Sequence, residues 1–159
     1  MNKFDDKYFM NFALKEAEKA LDGDEVPVGA VIVSGGGEVI SSAFNTVESD
    51  ISCIMHAEIN AILEAQKKLH NWRLDECSLY VTLEPCIMCC GAILLSRIGR
   101  VVYGACDPKG GVSSSILGGK IELIGGVMDE ESSMLLKSFF KSKRENARYD
   151  KSANADDSM

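Results

Sequence analysis

Apolar and polar positions follow two rhythms along this chain. Between residues 5 and 21, Phe9, Phe12, Ala13, Ala17 and Leu21 recur every three or four places, which predicts an amphipathic helix. Residues 26–33 then form a nearly unbroken apolar run, interrupted only by Pro27 and Gly29, as suits a strand covered on both faces. Gly35-Gly36-Gly37-Glu38 reads as a turn, and residues 39–45 as a second strand returning antiparallel to the first. After a polar loop over 46–52 comes a helix over 56–69, then a strand over 78–84. Pro85 opens a helix over 85–96, because proline is favoured in a first turn. Residues 100–106 read as a further buried strand, 107–119 as a loop rich in Gly and Ser, 121–127 as a last strand and 130–148 as a closing helix. The segment 151–159 has no apolar anchor and is expected to be disordered. With no internal repeat or linker, residues 1–150 read as one domain. A hairpin followed by alternating strands and helices predicts an α/β fold of three layers, α/β/α, around a mixed five-stranded sheet.

Composition narrows the class. At 159 residues, 46% hydrophobic and 26% charged, the chain can bury a sizeable core and is typical of a globular protein. Its N-terminus lacks an apolar leader, and no apolar run approaches membrane-spanning length, so a cytoplasmic protein with no membrane contact is expected. Six cysteines then read as core thiols and metal ligands rather than disulfides. A net charge of −7 argues against a generic nucleic-acid binder. The charge is uneven, however. Residues 137–151 hold six basic side chains against Glu145 and Asp150, a local +4.

Chemistry concentrates in Cys53-Ile54-Met55-His56-Ala57-Glu58 and Pro85-Cys86-Ile87-Met88-Cys89. Cys86 and Cys89, three apart at a helix start, can share one ion, and the positive end of a helix favours the thiolates that zinc requires. With His56 they make a His-Cys-Cys set that leaves a fourth zinc position for water, the arrangement of catalytic sites. Glu58 cannot face the same way as His56 inside a helix, so His56 is expected at the first turn with Glu58 beside the water. Zinc lowers the pKa of that water to roughly 7, and Glu58 can carry its proton to a leaving nitrogen. His-x-Glu with Pro-Cys-x-x-Cys is the signature of zinc nucleobase deaminases. The competing reading is a closed structural site completed by Cys53; it leaves Glu58 and Pro85 without a task and suits chains that need metal to fold. Cys90, Cys77 and Cys106 read as core thiols, the last two on buried strands, and His70 as a helix cap.

These residues resemble the cytidine deaminase superfamily, and within it the bacterial tRNA-specific adenosine deaminases. The resemblance covers residues 10–144. It includes Glu25-Val26-Pro27-Val28-Gly29-Ala30-Val31, Asn45, His56-Ala57-Glu58-Ile59-Asn60-Ala61 and Leu79-Tyr80-Val81-Thr82-Leu83-Glu84-Pro85-Cys86. Ser96-Arg97-Ile98, Asp107-Pro108-Lys109-Gly110-Gly111 and Phe139-Phe140 extend it. It implies a cytidine deaminase-like fold and deamination of the wobble adenosine to inosine in a tRNA anticodon stem-loop, by a homodimer with one Zn2+ per subunit. His56, Cys86 and Cys89 would then bind zinc and Glu58 would shuttle protons. Val28, Asn45 and the Ala57 backbone amide would contact the substrate base or ribose, with Asp107 and Lys109 in a loop near the RNA. Two segments depart from the family. Ser52-Cys53-Ile54-Met55 replaces the usual Asp-Pro-Thr-Ala, and the stretch 115–126 is shorter and lacks an Asn-His pair.

The closing helix adds an observation of its own. At about 100° per residue, Lys137, Lys141, Arg144 and Arg148 fall within an arc of about 60°, opposite Leu135, Leu136 and Phe139. Such a stripe can track a phosphate backbone, or simply be a solvated helix face. A free-base deaminase acting on guanine or cytosine would need no stripe, and a non-catalytic zinc module would need no Glu58.

Overall fold

The structure is a computed structural model and describes residues 5–109 and 111–156. Five strands, β1 Gly29–Val33, β2 Val39–Phe44, β3 Ser78–Leu83, β4 Arg100–Ala105 and β5 Glu122–Ile124, form one sheet in the order β2-β1-β3-β4-β5. β1 is antiparallel to β2 and β3, whereas β3, β4 and β5 run parallel. The turn at residues 34–38 is too short for anything but an antiparallel return, and the parallel pairs are joined through helices.

Helices cover both faces. α1 Asp6–Asp22 and α5 Asp129–Asp156 lie on one side, α2 Ala57–Leu69, α3 Ile87–Leu95 and the short α4 Ser113–Leu117 on the other. Because successive strand residues point to opposite faces, β1 serves both cores. Val31 and Val33 join Phe9, Met10, Tyr80 and Val102, while Ala30 and Ile32 join Ala61, Leu79, Cys90 and Ile93. Asp5 caps α1, accepting from the Tyr8 amide at 2.9 Å. α1 lies so close to the sheet that a Cβ on Gly29 would sit 1.9 Å from the Ala13 carbonyl oxygen.

The expected architecture is present, with local differences. β1 starts at Gly29 rather than residue 26, because Pro27 has no N–H to pair and the Val28 amide turns to the Val26 carbonyl at 2.8 Å. β4 ends at Ala105, so Cys106, expected on a buried strand, is exposed. Cys77 precedes β3 by one residue yet is buried, and Cys90 lies in the core as expected. The 107–119 loop contains α4, and the last strand spans 122–124 alone. Residues 151–156, expected to be disordered, continue α5 to Asp156, since extending a formed helix fixes few torsions per added hydrogen bond. Residues 157–159 lie outside the described ones. Among the described residues, no helix is long and apolar enough to cross a membrane.

One edge of this sheet collects the chemistry. Gly29 pairs with Phe44, Ala30 with Val81 and Leu83 with Ala105, so the ends of β2, β3 and β4 lie side by side. The chain leaves that edge toward α2 and α3, as ligand sites in open α/β sheets require.

Candidate active site

His56 and Cys86 occupy equivalent places. Each is the N-cap of its helix, in extended backbone with φ near −72° and −73°, and neither side chain caps the helix. Both turn instead toward the space between the helix ends. Cys89 follows as the third residue of α3 and is fully buried. Cys86 was expected inside the helix; standing at its cap, it still reaches the same point as Cys89. The ligand atoms of His56, Cys86 and Cys89 lie within 4.8 Å of one another, the metal-competent group that the described residues form. His56 Nδ1 is 3.6 Å from Cys86 Sγ and 3.7 Å from Cys89 Sγ.

Those spacings test the donor set. Zinc bonds of about 2.3 Å to sulfur and 2.1 Å to nitrogen, at a tetrahedral angle, set the two donors about 3.6 Å apart. The three side chains are therefore preorganised for a tetrahedral ion with one place left. Cys53, exposed and outside the group, does not complete a four-ligand site.

Charge in the cluster follows from its hydrogen bonds. The Cys89 thiol and His56 beside Cys86 pull its thiol down to about 3, so a thiolate stands ready for a cation. The same Cys86 contact holds the Cys89 thiol above its ordinary value, with burial adding to it, and raises His56. Glu58, 4% exposed on the first turn of α2, is pushed up to about 7, chiefly by burial. Positive charge beside it would draw the value back down. A carboxyl balanced near neutrality both accepts and returns a proton.

A pocket of about 1040 Å³ opens over the cluster. Val28, Asn45, Ala57, Glu58, Asp107 and Lys109 all line it, so the expected substrate-side residues converge on one space. The basic stripe divides. Lys137 and Arg144 line the pocket, whereas Lys141 and Arg148 are exposed outside its lining. Phe139, expected to pack inward opposite the stripe, lines the pocket beside Phe140, with Lys143 over its ring at 5.6 Å. Lys143 also pairs with Asp24 across the pocket rim.

Two buried carboxylates went unassigned by sequence reasoning. Glu84 accepts from the Asp107 amide at 3.0 Å and the Ser113 hydroxyl at 2.5 Å, anchoring the loop that bears Asp107 and Lys109. Gly111 passes so close that a Cβ there would meet that carboxylate at 1.9 Å. Glu25, 1% exposed, binds the loop that leads from Asn45 toward His56. Their signal was their presence in otherwise apolar segments ahead of strand and helix starts.

Residues 3–105 match the model of the cytidine and deoxycytidylate deaminase zinc-binding region. The chain belongs to this deaminase family. A protein of Bacillus subtilis (strain 168) named tRNA-specific adenosine deaminase is 46% identical over 147 residues, spanning 87% of this chain and 91% of its own. A solved structure from work on A-to-I editing by tRNA:A34 deaminases at the wobble position is 41% identical, with a TM-score of 0.76, covering 81% of this chain and 99% of that one. A guanine deaminase from Nitrosomonas europaea shares the fold at TM-score 0.78 with 22% identity, covering 87% and 86% of the two chains.

Proposed function

We propose that this chain hydrolytically deaminates the wobble adenosine of a tRNA anticodon loop to inosine, releasing ammonia. The observation that carries the reaction is the preorganised His56-Cys86-Cys89 cluster with buried Glu58 on the same helix turn. A zinc ion bound there supplies Lewis acidity toward water. Glu58 takes one proton from the attacking water and delivers it to the purine ring nitrogen, which keeps it in inosine. It then passes the second proton of that water from the new hydroxyl to the amine, which leaves as ammonia. Asn45, Val28 and the Ala57 backbone hold the base and ribose, and the Asp107–Lys109 loop borders the nucleotide. Two thiolates and a neutral imidazole suit zinc, one ion per chain.

The RNA reading is supported by the pocket's extension onto α5. Its volume lies just above the usual range for small-molecule sites, about 300–1000 Å³, and its far wall carries Lys137, Arg144, Phe139 and Phe140. Cations for phosphates and rings for stacking suit a single-stranded loop whose base has left the stack. The similarity to tRNA-specific adenosine deaminases points the same way. Ile87 and Leu95, 70% and 77% exposed, share a face of α3 with Gly91, where a Cβ would meet nothing within 4 Å. A second copy of the chain would cover that stripe, and its mass in analytical ultracentrifugation tests the homodimer. A cytoplasmic setting keeps the six unpaired cysteines reduced.

Inosine formation on an anticodon stem-loop, run beside free guanine and free cytosine, tests the substrate. Turnover of RNA alone is expected; turnover of a free base without RNA would overturn the reading. Glu58→Ala should retain zinc and lose activity by about a hundredfold or more.

A further inference from the structure

Glu25 lies in the connection between α1 and β1, and the hydrogen-bond partners of its carboxylate all come from one short stretch, residues 45–49. Its Oε1 accepts from the Ser49 amide at 2.7 Å and the Ser49 hydroxyl at 2.9 Å. Its Oε2 accepts from the Glu48 amide at 3.1 Å and from Asn45 Nδ2 at 3.4 Å. An ionised carboxylate only accepts, so the Asn45 amide must meet it with its NH2 end. That orientation leaves Asn45 Oδ1 without a donor among the described residues, on a side chain that is 6% exposed and lines the pocket. Asn45 itself is held from behind, its backbone amide donating to Val28 at 3.1 Å, so the side chain has little freedom to compensate.

We propose that Glu25 is a positioning residue: it fixes the Asn45 amide so that a carbonyl oxygen, not an NH2, faces the pocket, and thereby demands an N–H or O–H donor from the ligand. Glu25 itself touches no reacting atom. An amide is nearly symmetric in shape, and packing alone cannot choose between its two ends. Only a partner of fixed polarity can, and Glu25 is that partner. The kinetic readout rests on the deaminase reading; the structural one does not.

Glu25→Gln keeps shape and removes polarity. Its new NH2 favours the flipped Asn45, which would turn a donor toward the ligand's donor. KM for the anticodon stem-loop should rise roughly tenfold, with kcat and zinc content unchanged. Combining Glu25→Gln with Asn45→Asp restores an acceptor facing the pocket and should bring KM back to within about threefold of the parent. Ser49→Ala removes only a donor to Oε1 and should leave KM near the parent. A Ser49→Ala effect as large as that of Glu25→Gln would show loop anchoring instead and overturn the proposal, as would failure of the paired substitution to recover. If the parent forms no inosine, the deaminase reading fails, and hydrogen exchange at Asn45 Nδ2 by NMR decides the matter alone. Protected side-chain protons in the parent and faster exchange in Glu25→Gln are expected; equal exchange would refute the role of Glu25.

Discussion

Cys53 and Cys86 have matching sequence credentials, each a cysteine three places from another candidate ligand, and their fates differ completely. Cys86 stands at the N-cap position of α3 with its thiol 3.6 Å from His56 Nδ1, and that thiol is drawn down to about 3; Cys53 is exposed in the loop before α2. Cys53→Ala should therefore keep about one zinc per chain and full activity, whereas Cys89→Ala should lose the metal, both read by elemental analysis. Zinc uptake should also release protons, because Cys89 holds its proton above the ordinary thiol range and must give it up to bind. Weaker binding at lower pH is the expected sign, since protons and metal compete for the same sulfurs. Burial does comparable work at Glu58. A carboxylate in the open would sit near its usual value and remain ionised; inside α2's first turn it stands near 7 and can move protons in both directions.

Among the elements, α5 departs furthest from its sequence pattern. A helical wheel assigns it a basic arc and an opposite apolar arc, but a long helix crossing a pocket mouth is read by position along its length as well as by face. Leu135 and Leu136 pack on the two cores, near the start of the helix. Over the next two turns, Phe139, Lys143 and Arg144 border the pocket, and beyond that every residue to Ala153 is exposed. Charge reversal at Lys137 and Arg144 should thus weaken anticodon stem-loop binding by about tenfold or more and flatten its salt dependence. The same reversal at Lys141 and Arg148 should have a smaller effect. Binding measured at two salt concentrations separates these outcomes; equal effects from both pairs would mean that the pocket wall is not the docking face. α3 shows the opposite economy. Its apolar sequence divides between Cys89, Cys90 and Ile93 in the core and Ile87 and Leu95 outside.

At the scale of the molecule, the sheet edge opposite the site is tied by a network joining distant parts of the chain. Arg100 at the start of β4 donates to both carboxylate oxygens of Asp6 at 2.9 Å and to the Tyr80 hydroxyl at 2.9 Å, and pairs with Glu122 at 3.0 Å. The Arg100 guanidinium holds the Asp6 carboxyl below its ordinary value of 3.8, and burial with Asp6 alongside pushes Tyr80 up to about 12. A depressed carboxyl stabilises the fold while ionised. Its contribution is fully present above its unfolded value and is lost as pH falls through the lower folded one. Asp6→Asn should therefore cost about 1 kcal/mol at pH 7, and the gap to the parent should close as unfolding is measured at pH below 4. A gap independent of pH would mean that the network contributes by packing rather than charge. The network also clamps α1, β3, β4 and β5 together at one end, leaving the other end to loops. That division lets Glu25 and Glu84 set those loops without carrying the fold.

The chemistry of this chain was legible in its sequence because it depends on spacing that a helix preserves. Cys89 follows Cys86 by three places and Glu58 follows His56 by two, and helix geometry turns such short intervals into fixed directions. The hairpin and the alternation of strands and helices were legible for the same local reason. How α5 shares its residues between core and pocket, and what Glu25 and Glu84 bind, depend on partners dozens of residues away. Glu25 meets Ser49 across 24 positions, and Arg100 meets Asp6 across 94. No local rule encodes such distances. Only the folded sheet, by bringing the ends of β2, β3 and β4 to one edge, decided which loops face each other and which carboxylates hold them.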